Sequence, residues 1–207
     1  LQFQWASHTL WSGMHVHGPI PPFEALATLF CVSLSKLKGL RNSLVDMSIR
    51  LDMRKVLGLD CAFFGNCMVY NKVHVEGDNY EFSQVVRAIS NVVAKMDIEA
   101  IMDLTEWLEN NDVNSSTTMN NHNLVCASLE GMDPYLAMFQ DWFKPIHVSY
   151  YIELVVGEGQ VLILPGLLEE GPLSRVAMVT LRKEKTIKLC EDDLILQFSS
   201  TILMRYE

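Results

Sequence analysis

Apolar and polar residues change their spacing several times along this chain, and each change marks a different element. Leu1-Gln2-Phe3-Gln4-Trp5 alternates, which predicts a short edge strand whose pairing partners come from elsewhere. Gly18-Pro19-Ile20-Pro21-Pro22 then punctuates the chain. Phe23, Leu26, Ala27, Phe30, Leu34 and Leu37 follow at helical spacing and predict a helix that starts after proline and stops at Gly39. Ala25, Leu29, Cys31 and Val32 fill most of its other side, so this helix is expected to be buried nearly all round. From Val45 to Arg54 apolar and polar residues alternate without a break, the pattern of a strand with one buried face. Its other face carries Asp46, Ser48, Arg50, Asp52 and Arg54 in a row, which reads as a solvated ladder or as the wall of a polar channel.

A loop ending Phe63-Phe64-Gly65-Asn66 leads to a second strand over Cys67 to Val75, closed by Gly77-Asp78-Asn79. Between Tyr80 and Asn110 the spacing predicts two helices. Val85, Ala88, Ile89, Val92, Val93 and Met96 line the first, and Ile101, Leu104, Trp107 and Leu108 the second. Residues 110–123, rich in Asn, Ser and Thr, hold too few apolar side chains to offset their ordering and are expected to form a mobile surface loop. Beyond it, Leu124 to Ser128, His147 to Val156, Gln160 to Pro165 and Leu173 to Leu181 read as strands, the middle two joined through Gly157-Glu158-Gly159. Lys183 to Asp193 reads as an amphipathic helix, although its closing acids Glu191, Asp192 and Asp193 oppose the helix dipole.

Composition narrows the class. With 207 residues, 49% of them apolar, the chain can bury a core as one large domain. Sixteen Lys and Arg against 25 Asp and Glu leave a net charge of −9, which excludes a phosphate-tracking nucleic-acid groove. No apolar run approaches the roughly 20 residues of a spanning helix. The five cysteines, Cys31, Cys61, Cys67, Cys126 and Cys190, are scattered and contain no CxxC, so a reducing compartment is expected rather than a disulfide framework. The chain opens at Leu1 without Met, basic region or cleavage site and reads as a fragment. Asn114-Ser115-Ser116 fits the glycosylation tripeptide, a pattern common by chance in chains of this size.

Motifs of catalysis are sparse. Gly157-Glu158-Gly159 lacks the third glycine, the following helix and the lysine of a phosphate loop, and reads as a hairpin turn. His15-Val16-His17 puts two imidazoles on one side of an extended segment with no Cys, Asp or Glu nearby to complete a metal site. His74, His122 and His147 stand singly. There is no Gly-x-Ser-x-Gly elbow and no cysteine with a sequence-adjacent base. Spacing and composition by themselves reach an α/β domain of a larger protein.

Longer patterns carry a resemblance. Pro22-Phe23-Glu24-Ala25-Leu26-Ala27-Thr28-Leu29-Phe30, then Leu51-Asp52-Met53-Arg54-Lys55, then Phe63-Phe64-Gly65-Asn66 resembles the C-terminal half of the plant BAHD acyl-CoA-dependent acyltransferases in order and spacing. Asn123-Leu124-Val125-Cys126-Ala127-Ser128 and Asp141-Trp142-Phe143-Lys144-Pro145 look like that family's closing segments. The likeness runs over essentially the whole chain. Within the family, Phe63-Phe64-Gly65-Asn66-Cys67-Met68-Val69-Tyr70 and Pro145-Ile146-His147-Val148-Ser149-Tyr150-Tyr151-Ile152-Glu153 look most similar to the ECERIFERUM/Glossy branch of cuticular wax synthesis.

That resemblance implies an α/β fold: a mixed, largely antiparallel sheet with flanking helices, like a chloramphenicol-acetyltransferase domain. It implies that residues 1–18 end the crossover and edge strand from an N-terminal domain outside this chain, and that 19–207 form the C-terminal domain. The family's catalytic His-x-x-x-Asp, with histidine as general base on the acceptor, belongs to that other domain. Here His8 is followed four residues later by Ser12, so no catalytic residue is assigned to this chain.

The family's second signature, Asp-Phe-Gly-Trp-Gly-Lys, is a structural loop whose aspartate pairs with an arginine. The corresponding stretch keeps Trp142, Lys144 and Pro145, but Asp141 and Phe143 stand at the two glycine positions and Phe139 at the aspartate. Phe resists the positive φ that glycine admits, so this loop cannot copy the family backbone. The resemblance marks Arg54, Gly65, Asn66, Asp141, Trp142 and Lys144 as channel or structural-motif residues, with Arg54 losing its usual carboxylate unless Asp141 supplies one.

Wax-branch relatives are accessory partners of a condensing enzyme in very-long-chain fatty acid elongation. The altered signature therefore implies a non-catalytic partner of a fatty-acid elongase condensing enzyme at the endoplasmic reticulum (ER), cytoplasmic or associated with the ER surface. The alternative is the C-terminal half of an active O- or N-acyltransferase. No cofactor or metal is implied, and acyl-CoA is the candidate substrate. The basic group Arg182, Lys183, Lys185 and Lys188, interrupted by Glu184, reads as a solvated face rather than a phosphate or membrane contact.

Overall fold

A computed structural model of the chain describes residues 2–5, 20–40, 44, 46–60, 62–75, 81–95, 97–110, 124–132, 134–138, 143, 145, 148, 157–198 and 201–204. Seven strands among them, β1 (Gln2–Trp5), β2 (Met47–Asp52), β3 (Met68–Lys72), β4 (Leu124–Ser128), β5 (Gly159–Pro165), β6 (Arg175–Thr180) and β7 (Thr201–Met204), form one sheet in the order β3-β2-β4-β5-β6-β1-β7. The β2-β4 and β4-β5 pairs are parallel, and the remaining pairs are antiparallel. This is the mixed, largely antiparallel α/β sheet expected from the sequence.

Two expectations for the strands need correction. β1 is not an edge strand: it lies between β6 and β7, with Phe3 opposite both Ala177 and Ile202 and wholly buried. Its partners belong to this chain. β7, which supplies one of them, escaped sequence reading because Thr201-Ile202-Leu203-Met204 is short and does not alternate. Apart from Val148, the sequence-read strand over His147 to Val156 lies outside the described residues, as do the turn at Gly77-Asp78-Asn79 and the expected loop over 110–123 beyond Asn110, which is helical.

The helices are α1 (Pro22–Leu37), α2 (Phe82–Ala94), α3 (Ile98–Asn110), α4 (Lys183–Cys190) and α5 (Asp193–Gln197). Pro22 opens α1 where its missing N–H costs no intrahelical bond, and Gly39, at φ 73°, follows its end. Every residue from Phe23 to Ser35 is buried, as the all-round apolar pattern demanded. Two hydroxyls on the buried surface of α1 turn inward: Thr28 donates to the Glu24 carbonyl at 2.7 Å and Ser35 to the Cys31 carbonyl at 2.6 Å. Ser33 donates instead to Asp192 at 2.9 Å, and the same carboxylate accepts the Ile195 N–H at 3.1 Å. The expected helix over 183–193 is therefore two helices. Asp192 caps the second, so acids that would oppose one dipole sit at the favourable end of the next.

α1 packs between the sheet and helices α2, α4 and α5, and the Phe3 and Phe30 rings meet at 5.8 Å in a tilted pair. Ile49, Cys126, Val161, Ile163, Ala177 and Val179 face this layer. The opposite sheet face is buried too, through Ala127, Leu162, Leu164, Val176 and Met178. Burial on both faces explains why β5 and β6 read as continuous apolar runs rather than alternating ones. Among the described residues no helix is long and apolar enough to cross a membrane.

Candidate functional site

Because β2, β4 and β5 run parallel, they end at one edge of the sheet, and β1 ends there as well, since Trp5 and Pro165 both lie opposite Arg175. Loops leaving strand ends are free of the ladder and can present side chains, so this edge is where an α/β sheet builds a site.

Arg54 turns out of the end of β2 into the first of these loops. Its guanidinium pairs with Asp52 at 2.5 Å and donates to the carbonyls of Phe63 at 3.2 Å and Gly65 at 2.8 Å. The planar fork thus reaches three acceptors at once and ties loop 53–66 to the strand that precedes it. Asn66 accepts the Met68 N–H at 3.2 Å through its side-chain oxygen and so starts β3. Gly65 lies close under the Phe63 ring, which a Cβ there would meet at 2.3 Å and push aside. Arg54, Gly65 and Asn66 are thus brought together, while Asp141, Trp142 and Lys144 lie outside the described residues. Arg54 has a carboxylate partner in Asp52, two residues back, and the alternative that Asp141 supplies one falls outside the described residues.

A second group, missed in the sequence, lies at the same edge. Arg175 pairs with Glu130 and donates to the carbonyls of Pro172 at 3.0 Å and Ser174 at 2.8 Å. Ser128 donates to Glu130 at 3.1 Å. Glu170 accepts the Ser174 hydroxyl at 2.9 Å and the Gln4 amide. Glu24, in the first turn of α1, is buried, and burial followed by the nearby Glu130 charge pushes its carboxyl above the usual range. One signal was available: Glu24 is an acid inside a helix whose every side reads as buried. Glu130, Glu170 and Arg175 gave none, because long-range strand order brings them together.

Around these groups the edge is apolar. Phe64 is fully exposed, and Leu57, Phe63, Met132, Leu136, Met138 and Phe143, from the segments after β2 and β4, are exposed as well. Cys31 and Cys126 add no nucleophile here: burial pushes the Cys31 thiol up to about 12 and Cys126 higher still. At the opposite edge, Gly157 and Glu158 form the turn before β5, with φ 63° at Gly157. Glu158 takes Lys38 at 2.6 Å and Lys185. Partial burial would raise the Glu158 carboxyl, but the hydrogen bonds and charges of Lys185 and Lys38 outweigh that and hold it below the usual range. Lys185 of the basic group is therefore engaged within the fold.

Sheet order, flanking helices and loop-bearing edge define an α/β fold of the BAHD, chloramphenicol-acetyltransferase-like kind. Among solved structures, Fusarium TRI101 shares it. The F. sporotrichioides protein complexed with coenzyme A and T-2 superposes with a TM-score of 0.69 over 97% of this chain and 49% of its own, at 15% identity. F. graminearum TRI101 with coenzyme A and T-2 mycotoxin gives 0.71 over 95% and 48%, at 15% identity. Vinorine synthase gives 0.62 over 94% and 49%, at 10% identity. The chain spans about half the length of these proteins. No protein-family model and no curated protein matches the sequence.

Proposed function

We propose that this chain is the C-terminal lobe of a two-lobed BAHD acyltransferase-like protein that works in very-long-chain fatty acid elongation and cuticular wax formation as a non-catalytic partner of an ER condensing enzyme. The lobe assignment rests on a fold match across nearly the whole chain to about half of proteins solved with coenzyme A. The accessory role is carried by one observation, the internal completion of Arg54. Its guanidinium is filled by Asp52 and the carbonyls of Phe63 and Gly65, leaving it no need of the signature aspartate that Phe139 replaces. A lobe free of that constraint can vary Asp141, Trp142 and Lys144 toward docking rather than catalysis. The protein would then sit on the cytoplasmic side of the ER through its partner.

A second reading, an active acyl-CoA-dependent O- or N-acyltransferase, is favoured by the coenzyme A in the TRI101 structures. It needs a histidine base from the other lobe, because half a channel cannot position both acyl donor and acceptor. Co-expression of the full-length protein with a condensing enzyme in yeast separates the readings. Longer acyl chains are expected with the full-length protein, including a version whose upstream His-x-x-x-Asp, if present, is replaced. Unchanged chain lengths overturn the accessory role, and dependence on that histidine establishes the transferase.

A further inference from the structure

α3 has little to pack on. Of its described side chains only Ile101 is buried, while Ile98, Met102 and Trp107 are exposed at 57%, 61% and 51%. Packing of an apolar face supplies most of a helix's stability in a folded protein, and a helix of this length is marginal by itself in water. Asp97 caps its start by accepting the Ala100 N–H at 2.9 Å. Beyond that cap the charges work against the helix. Residues 97–110 contain no Lys, Arg or His. Glu99, Asp103, Glu106 and Glu109 follow at i, i+4, i+7 and i+10, so four like charges run as one stripe, each repelling the next. Glu109 also stands in the last turn, at the negative end of the helix dipole. Acids elsewhere find cations: Asp46 has Lys72, Asp52 has Arg54, Glu130 has Arg175 and Glu158 has two lysines. Among the described residues no carboxylate of the α3 stripe has an ion-pair partner. Met102 neighbours Glu99 and Glu106 on one side of the stripe, and Trp107 neighbours Asp103 on the other. The outward surface of α3 is thus acidic along its middle and apolar along its rims.

We propose that this face of α3 docks a basic amphipathic segment of a partner protein, with Lys or Arg on the acidic stripe and aliphatic side chains against Met102 and Trp107. Charge complementarity selects that occupant. A lipid bilayer suits the face poorly, because helices that lie in a membrane interface carry Lys and Arg on their polar side and the cytoplasmic leaflet is itself anionic. A second copy meeting the same face brings stripe against stripe, with no cation on either side. A basic segment instead cancels the repulsion within α3 and covers the apolar rims. Binding and helix stability are therefore coupled, and a bound partner protects the α3 amides. The docking is independent of the role in acyl elongation.

The test uses the full-length protein and, as probe, a short synthetic peptide of leucine and lysine at helical spacing, followed by amide NMR and hydrogen exchange. The peptide is expected to shift resonances within 97–110 and to raise the protection of α3 amides. Added salt is expected to weaken this binding. Neutralising the stripe with Glu99→Gln, Asp103→Asn, Glu106→Gln and Glu109→Gln together is expected to weaken it by about tenfold or more and to flatten its salt dependence. Because these changes remove repulsion, circular dichroism is expected to show α3 still folded. Met102→Gln is expected to weaken binding while keeping the salt dependence. Phe64→Asp, on the other exposed apolar surface, is expected to bind as wild type does, and loss of binding there would put the peptide on that edge and overturn the docking. Three further outcomes overturn it: equal affinity of the neutralised variant, α3 resonances that move with protein concentration in the absence of peptide, and α3 protection by phosphatidylcholine vesicles without protection by the peptide.

Discussion

Arg54 shows how far a single side chain can organise a loop without a distant partner. Its ion pair with Asp52 is partly exposed, with side-chain accessibilities of 23% and 42%, and contributes little in water. The two carbonyl contacts matter more, because a hydrogen bond from a charged donor to a loop carbonyl is worth about 1.5–3 kcal/mol. Arg54→Ala is therefore expected to lower the urea-unfolding free energy by about that amount. Arg54→Lys should lose nearly as much, since a lysine can meet Asp52 but cannot span Phe63 and Gly65 as well. A lysine variant as stable as wild type would show that the carbonyl clamp is idle. The alternation from Val45 to Arg54 placed Arg54 on the polar face of a strand, and the strand stops short of it at Asp52. Within the row of charges Arg54 pairs with Asp52, but Asp46 is paired across strands by Lys72 of β3 at 3.0 Å, so the segment itself revealed only half of that second pair.

At the level of elements, local pattern was informative wherever local physics decides. α1 carries its all-round burial in its residue types, and α2 and α3 follow from helical spacing. The join between α4 and α5 did not: Asp192 caps α5 through the local Ile195 N–H and also takes the Ser33 hydroxyl of α1. The entry to β5 is a harder constraint. A Cβ on Gly159 would lie 2.3 Å from Leu181 Cδ2 and 2.7 Å from the Thr180 carbonyl, with φ at 137°. Gly159→Ala is expected to cost at least about 1–3 kcal/mol, combining backbone strain and a clash with the neighbouring strand. Gly58→Ala, at φ 64° with open space around it, should cost about 1 kcal/mol. Thermal melts of the pair check the order; equal losses would mean that β6 yields at no cost.

Across the whole molecule, the apolar loops after β2 and β4 meet at one edge because those strands are parallel neighbours. An exposed surface of this kind drives association when nothing covers it. Expressed by itself, the chain is expected to self-associate, and Phe64→Asp with Met138→Asp to shift light scattering toward monomer; a wild-type chain that stays monomeric would show that this edge is not adhesive. The amino-acid sequence alone determined the helices, most strands, the α/β class and the resemblance that pointed to a two-lobed acyltransferase-like protein. Those features rest on periodicity, turns and short motifs, which operate within a few residues. The tertiary structure decided that β1 lies inside the sheet, that Asp52 pairs with Arg54, and that Arg175 pairs with Glu130. Each of these depends on strand order and on which element folds over which, and burial changes what a charged group costs only after distant segments have come together.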